Sequence, residues 1–144
     1  MKSNLNILIP LLLVGTFAFS SVTQAGVAVV VSLDNGSSSM SKEEVARLFL
    51  KKSKKFRSGV KAEPLDQDDN NATREKFYKK VVNKESSQLT SYWSRMIFTG
   101  KGTPPRKVGN DEDIINTVSN NVNAIGYIDA ASVDSRVKVL LTVN

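Results

Sequence analysis

The stretch that decides the fold is Val27–Ser32, which reads Val-Ala-Val-Val-Val-Ser. It is rich in β-branched residues, and its apolar residues do not alternate with polar ones. This pattern is typical of a strand that is buried on both faces. Such strands occur in parallel or mixed sheets that helices cover on both sides. The stretch therefore predicts an α/β fold with a mixed sheet flanked by helices.

Strand and helix patterns alternate along the rest of the chain. Further strands are predicted at Val60–Leu65, Ala124–Ile128 and Val137–Val143. Helices are predicted after a Ser41 N-cap, at Thr73–Val82, at Ser87–Ile97 and from an Asn110 N-cap to Ser119. In the second strand we expect Val60, Ala62 and Pro64 to face inward, and in the third helix we expect Ile97 to join the core. The absence of repeats and long linkers indicates one domain.

The first 25 residues have the three-part layout of a secretory signal peptide. Lys2 precedes an apolar run from Ile7 to Phe19, and Thr23-Gln24-Ala25 supplies small residues at the cleavage position. We predict cleavage after Ala25, which leaves a domain of residues 26–144. The apolar run is too short for a comfortable transmembrane helix, and no later run is long enough to span a membrane. The expected location is a bacterial periplasm or the surrounding medium.

Composition excludes several classes of enzyme. The chain contains no histidine and no cysteine, so neither Ser-His-Asp nor Cys-His catalysis can operate. The same absence makes a zinc site improbable. We predict a protein that is not an enzyme and has no metal or cofactor. A net charge of +6 favours encounters with anions or acidic surfaces.

The candidate functional stretch is Pro64–Tyr78, which reads as a strand end, a polar loop and a helix start. The unpaired N–H groups and partial positive charge of a helix N-terminus favour a bound anion, and Asn71, Thr73 and Arg74 could donate to it. The alternative is structural: Asp69, Asn70 or Asn71 caps the helix, and the other carboxylates are solvated.

A calcium loop beginning at Asp66 is disfavoured. Such a loop needs glycine at its sixth position and glutamate at its twelfth, where this chain has Asn71 and Phe77.

Two basic motifs lie outside that stretch. Lys51–Arg57 has a single aromatic residue and no nucleic-acid-binding module around it, so a solvated loop is favoured and no nucleic-acid partner is predicted. Lys101 lies between two glycines, but Arg95 and Gly102 occupy positions where a nucleotide-binding P-loop needs glycine and a hydroxyl residue.

Four pieces, taken in order, carry a resemblance to a known family. They are Val27–Ser32, Met40–Leu50, the strand and loop to Tyr78, and Ala-Ile-Gly-Tyr-Ile at Ala124–Ile128. This order resembles the phosphate-binding proteins of bacterial ABC transporters, in the type II periplasmic binding protein superfamily. Small secreted proteins of this kind are even more similar, through the block at Tyr92–Pro105. The resemblance implies a single periplasmic-binding-protein-like lobe.

The resemblance also implies a ligand site. Aligned on Phe77, the Ser-Gly-Thr that opens a helix in the family corresponds to residues 71–73 here. The arginine that precedes it in the family corresponds to Gln67. The implied ligand residues are Ser32, Gln67, Asn71, Thr73 and Arg74, with Arg74 as the substitute cation.

Two functions are therefore expected from the sequence. The first is a periplasmic solute-binding module that binds phosphate or another small oxyanion weakly, since half a cleft cannot enclose a ligand. Its partner would be a membrane transporter or a periplasmic protein. The alternative is a secreted protein-interaction module that kept the fold and lost the ligand, with Lys51–Arg57 and the exposed loop as partner surfaces.

Overall fold

The computed structural model describes Ala18 and residues 26–144. The predicted signal peptide, residues 1–25, lies outside the described residues apart from Ala18, and cleavage after Ala25 stays a prediction. Within the described part, no helix has both the length and the apolar character needed to cross a membrane.

Strands and helices alternate along the chain. In chain order they are β1 (Val27–Ser32), α1 (Lys42–Phe49), β2 (Glu63–Asp66), α2 (Ala72–Phe77), α3 (Ser86–Phe98), β3 (Arg106–Lys107), α4 (Asp111–Ser119), β4 (Ala124–Asp129) and β5 (Val137–Val143). A π-helical segment, Tyr78–Val82, continues α2, and a short 3₁₀ helix, Ala130–Ser132, follows β4.

The strands form one mixed sheet in the order β3-β2-β4-β1-β5. β1 runs antiparallel to β4 and β5, whereas β2 runs parallel to β4 and β3. This confirms the predicted α/β architecture. Because β2 and β4 are parallel, their carboxyl ends lie at the same edge of the sheet. The connection from β2 to α2 therefore starts beside the end of β4.

Helices cover both faces of the sheet, as the sequence of β1 predicted. All six residues of β1 are buried. Val27, Val29 and Val31 join a core with α1, α2 and α3, and Ala28 and Val30 join a second core with α4. Successive strand residues point to opposite faces, so an uninterrupted apolar run is what a sheet with two covered faces requires.

The predicted helix caps are present. Ser41 and Glu44 form a capping box at the start of α1, and Asn110 and Asp113 form another at the start of α4. Asn71 caps α2. These caps satisfy backbone donors that the first turn of a helix leaves unpaired.

The prediction for Val60 is wrong. Val60 is 45% exposed, and β2 begins only at Glu63. The chain before β2 instead forms a turn in which the Phe56 N–H donates to the Val60 carbonyl (2.8 Å), and Phe56 supplies the buried side chain. Gly59, with φ of +88°, permits this turn. Alternation alone could not distinguish the turn from an extended strand.

α3 also departs from prediction at its last turn. Trp93 is buried as expected, and the hydroxyl of Tyr92 donates to the carbonyl of Leu50 (2.6 Å). Ile97, however, is 56% exposed and Phe98 is 93% exposed. The last turn of α3 extends beyond the residues that the helix packs against. Helical spacing alone therefore predicts a longer buried face than the structure has.

Candidate oxyanion site

A surface groove lies between the N-termini of α2 and α4, at the edge of the sheet where β2 and β4 end. Its volume is about 510 Å³. We call it the α2/α4 groove and define it by its lining residues, which are Asn71, Thr73, Asn110, Asp111, Glu112, Ile115 and Ser132. Two of the residues predicted from sequence, Asn71 and Thr73, are in this set.

Asn71 has a structural role at the groove. Its Oδ1 accepts a hydrogen bond from the backbone N–H of Thr73 (2.9 Å). Of the three candidate caps, Asn71 is therefore the one used, while Asn70 adopts the left-handed conformation with φ of +65°. The amide nitrogen of the Asn71 side chain and the hydroxyl of Thr73 have no partner among residues 26–144. Both remain available as donors.

Asn110 repeats this arrangement on the opposite wall. Its Oδ1 accepts from the N–H of Asp113 (3.2 Å), and its own N–H donates to the Asp113 carboxylate (2.9 Å). The side-chain amide nitrogen of Asn110 has no acceptor within the described part of the chain. The groove thus receives one side-chain amide donor from each helix start.

Gln67 is fully buried next to the groove. Its Nε2 donates to Oδ1 of Asp111 and to the carbonyl of Tyr127, both at 2.8 Å. These two acceptors fix the orientation of the amide, since the reversed amide would place Oε1 against a carboxylate. Oε1 has no hydrogen-bond partner within residues 26–144. Gln67 therefore acts on the groove by holding Asp111.

Asp111 brings a negative charge to the groove. Besides Gln67, its partners are the hydroxyl of Ser132 (2.7 Å) and the N–H of Asp129 (3.1 Å), both on Oδ2. Three donors from three parts of the chain hold this carboxylate in place. An anion in the groove would experience its charge at close range.

A second carboxylate on the groove, that of Glu112, pairs with an exposed arginine. Nη1 and Nη2 of Arg136 donate to it, at 2.8 and 2.9 Å, and the same guanidinium also pairs with the carboxylate of Asp134. The hydrogen bond from Arg136 lowers the pKa of Glu112 below its usual value. The net charge of this wall is consequently smaller than its acidic residues suggest.

Arg74, the expected substitute cation, is directed at Asp66. Its Nε lies 3.2 Å from both carboxylate oxygens of Asp66, and its Nη2 lies 3.1 Å from Oδ2. Its Nη1 is 3.6 Å from Asp69. Arg74 lines a different cavity, together with Tyr78 and residues of α3. Its charge is therefore matched by carboxylates away from the α2/α4 groove.

Asp66 is the centre of a buried polar cluster. It is 1% exposed and also accepts hydrogen bonds from the hydroxyls of Tyr78 (3.0 Å) and Tyr127, and from the N–H of Gln67 (2.9 Å). The guanidinium of Arg74 lies 4.9 Å from the ring centre of Tyr78. The cluster joins the end of β2 to α2 and β4 and fixes the loop that leads to the groove.

Burial and charge shift the pKa values in this cluster. Burial, followed by the charge of Asp66, raises the pKa of both Tyr78 and Tyr127 well above that of free tyrosine. Burial on its own would lower the pKa of Arg74, but the attraction of Asp66 outweighs it and the pKa is raised. Both tyrosines therefore stay protonated and donate to Asp66.

Ser32 lies at the opposite end of the sheet from the other predicted site residues. It ends β1, which runs antiparallel to β4, so it lies beside the start of β4 and not beside its end. Its hydroxyl accepts from the N–H of Asp34 (3.2 Å). The structure does not bring Ser32 together with Gln67, Asn71 and Thr73, because the antiparallel pairing of β1 with β4 places Ser32 at the opposite end of the strands.

Sequence reasoning missed three residues of this region: Asp111, Tyr127 and Ser132. The sequence places Asp111 in the first turn of a helix and Tyr127 in a strand, and neither position by itself indicates a functional site. The available signal for Tyr127 was a hydroxyl-bearing ring inside an otherwise apolar strand, since a buried tyrosine usually needs a hydrogen-bond partner. Within residues 26–144, no group of three or more acidic side chains is arranged to hold a metal ion.

Comparison with known proteins identifies the fold. No known protein-family profile matches the sequence, and no curated protein matches it significantly. Solved structures do match. A protein from Clostridium perfringens, assigned as a phosphate ABC transporter substrate-binding protein and solved with bound phosphate, superposes with a TM-score of 0.64 and 19% identity. The match covers 81% of this chain and 44% of that one.

The chain has the fold of part of a phosphate ABC transporter substrate-binding protein. An ABC-type phosphate transport receptor from Vibrio cholerae matches with a TM-score of 0.58 and 18% identity, over 81% of this chain and 45% of that chain. PstS from Borrelia burgdorferi matches with a TM-score of 0.60 and 12% identity, over 81% of this chain and 46% of that chain. The chain thus spans less than half the length of these solved proteins. The predicted single lobe of a periplasmic binding protein is confirmed as the fold.

Proposed function

We propose that this protein is a periplasmic or secreted solute-binding module that binds phosphate or another small oxyanion weakly in the α2/α4 groove. The observation that carries the proposal is the convergence of two capped helix starts on one groove. Each brings a side-chain amide donor without a partner among residues 26–144, from Asn71 and Asn110. The fold is shared with a protein solved with bound phosphate.

The donors suit an oxyanion. The side-chain amides of Asn71 and Asn110 and the hydroxyl of Thr73 can each donate to a different oxygen. The first turns of two helices add partial positive charge at the same place. A tetrahedral oxyanion could thus be bound from two walls without a lysine or arginine.

The same geometry predicts low affinity. Gln67 is neutral at the position where the family resemblance predicts an arginine, and Arg74 is occupied by Asp66. Asp111 adds repulsion of about 1 kcal/mol for a like charge at 4 Å in water. The groove is also open, so a bound ion stays partly solvated. A dissociation constant of about 1 mM, equivalent to roughly −4 kcal/mol, fits this balance.

A partner could complete the cleft. The solved relatives are more than twice the length that this chain matches, and a second surface over the groove would exclude water from the bound ion. We propose a membrane transporter or a periplasmic protein as that surface. A binding function is preferred to an enzymatic one, since two of the named neighbours are transport proteins.

Phosphate titration followed by backbone amide NMR tests the proposal. The protein purified after expression of the full-length chain is titrated to about 10 mM phosphate, which is tenfold above the expected dissociation constant. We expect saturable shifts at Asn71–Thr73 and Asn110–Asp111. Thr73→Val, which removes only the hydroxyl, should weaken binding severalfold, whereas Thr90→Val on α3 serves as the matched control. The absence of groove shifts at 10 mM would reject the proposal.

The second candidate function is a protein-interaction module. The observation that favours it is the apolar end of α3, where Phe98 is 93% and Ile97 is 56% exposed. Cross-linking in expressing cells tests it: a specific adduct should be lost in the double variant Ile97→Ser/Phe98→Ser and kept in Leu33→Ser, another exposed apolar residue. Equal adducts in all three proteins would reject this surface. Neutralising Lys51, Lys52, Lys54 and Lys55 tests the basic run in the same way.

A further inference from the structure

Another cavity lies at the other end of β2, where the strand begins. Its volume is about 280 Å³, and four of its lining side chains are lysines. We call it the lysine pocket and define it by its lining residues, which are Lys51, Ser53, Lys54, Lys61, Ala62, Pro64, Lys101, Gly102 and Thr103. It brings together the basic run and the Gly-Lys-Gly loop, two motifs that are distant in the sequence.

Three parts of the backbone position the four lysines. Lys51 follows α1 in the left-handed conformation, with φ of +58°. Lys54 and Lys61 are held near each other because the N–H of Ala62 donates to the carbonyl of Lys54 (2.9 Å). The N–H of Lys101 donates to the carbonyl of Met96 (2.9 Å) at the end of α3. The arrangement therefore depends on three parts of the backbone and not on flexible side chains alone.

The positive charge of the pocket is not neutralised within the described part of the chain. None of its four lysines makes an ion pair with a carboxylate of residues 26–144. Glu63, the acidic residue nearby, is already engaged by Arg106 and Asn121, each at 3.0 Å. Burial lowers the pKa of Lys51; the charge of Glu63 acts in the opposite direction, and the neighbouring charges of Lys61 and Lys54 add to the lowering. Four like charges around one small cavity repel one another, and a polyanion would relieve that repulsion.

We propose that the lysine pocket binds a compact polyanion made of linked phosphate groups, of the chemistry found in pyrophosphate and triphosphate. Lysine ammonium groups bind phosphate oxygens as point charges, and the hydroxyl of Thr103 adds a neutral donor. A single phosphate ion would leave most of the four positive charges unmatched. The pocket lies at the start of β2, so it is separate from the α2/α4 groove, and the proposal does not depend on the function of the groove.

Titration with inorganic tripolyphosphate tests the proposal. The double variant Lys54→Gln/Lys101→Gln should weaken binding at least about tenfold, which corresponds to 1.4 kcal/mol. The matched control Lys42→Gln/Lys80→Gln removes the same charge from exposed positions outside the pocket and should change affinity by less than about twofold. All four substituted lysines are exposed, so both variants should fold. Equal weakening in the two double variants, or no binding to the unsubstituted protein, would overturn the proposal.

Two further measurements locate the bound phosphate and its source. Amide NMR shifts should fall on Lys51–Lys54, Lys61–Ala62 and Lys101–Thr103 and should be unaffected by Thr73→Val. Shifts confined to the α2/α4 groove would overturn the assignment. Co-sedimentation with vesicles that contain diacylglycerol pyrophosphate, if it is lost in Lys54→Gln/Lys101→Gln, would support the site and attribute its linked phosphates to a lipid headgroup. Tripolyphosphate binding without co-sedimentation would support the site and indicate that its ligand is a soluble anion.

Discussion

The guanidinium group of Arg74 binds the carboxylate of Asp66 at 3.1–3.2 Å, in a site where the Asp66 side chain is 2% exposed and that of Arg74 is 15% exposed. The pair joins the last residue of β2 to the first turns of α2. Two tyrosine hydroxyls complete the hydrogen bonding of Asp66. A buried ion pair adds little net stability, but removing one partner leaves an uncompensated charge.

Substitution of Arg74 by alanine should therefore destabilise the protein strongly. We expect the free energy of unfolding to fall by about 3–5 kcal/mol, because Asp66 would stay buried without its cation. Lys107→Ala breaks an exposed pair with Asp69 and should cost at most about 1 kcal/mol. Urea denaturation of the two variants measures both values. Equal losses would contradict the structural role of the Arg74 pair and would return Arg74 to consideration as a ligand residue.

Alkaline pH should weaken the fold. All three tyrosines have a raised pKa in the folded state, with burial as the largest cause. A group whose pKa is raised by folding contributes stability that is present below its unfolded value, here 10.0, and is lost as pH rises above it. Urea midpoints should thus decline above about pH 10. Tyrosinate absorbance of the native protein should lag behind that of the urea-unfolded chain, and coincident titrations would contradict the prediction.

The fold was predictable because its decisive signals are local. An apolar β-branched run at Val27–Ser32 specifies a strand covered on both faces, and short polar motifs at Ser41 and Asn110 specify helix starts. The turn that exposes Val60 was not predictable, since it depends on Phe56 filling the core from a neighbouring position. The exposure of Ile97 likewise depends on the point at which α3 extends beyond the residues that it packs against.

For the candidate site, the sequence predicts which loop is involved but not which hydrogen bonds its side chains make. The sequence located the loop and named Gln67, Asn71 and Thr73, which the structure brings together near one groove. The sequence could not reveal that Arg74 pairs with Asp66. Whether its guanidinium contacts a ligand or a carboxylate depends on the side of α2 that it faces. Ser32 fell outside the site because strand direction, and not residue type, determines which end of the sheet it occupies.

Gly126 should not tolerate a side chain. A Cβ added there would lie 2.6 Å from Cγ2 of Ile114, where α4 packs directly against β4. Gly126→Ala should lower the free energy of unfolding by about 1–3 kcal/mol through overpacking. Gly36→Ala is the matched control, since nothing lies within 4 Å of its added Cβ, and its effect should stay within about 0.5 kcal/mol. Thermal or urea unfolding of both variants decides the prediction, which fails if the two glycines respond alike.

Asn71 combines a cap with a proposed ligand donor, and two substitutions should separate these roles. Asn71→Ala removes the cap of α2 and should cost about 0.5–2 kcal/mol in unfolding free energy. Asn71→Asp keeps a carbonyl-type acceptor for the N–H of Thr73 and should leave stability nearly unchanged, since aspartate caps as well as asparagine.

The same aspartate removes an amide donor and places a carboxylate on the α2/α4 groove. Phosphate affinity should therefore fall severalfold in Asn71→Asp although the fold is intact, as measured by the NMR titration. Asn110 on the opposite wall offers the matched test, since Asn110→Asp has the same chemistry at the cap of α4. If both variants were as stable as the unsubstituted protein and bound phosphate equally well, the two amides would have only a structural role.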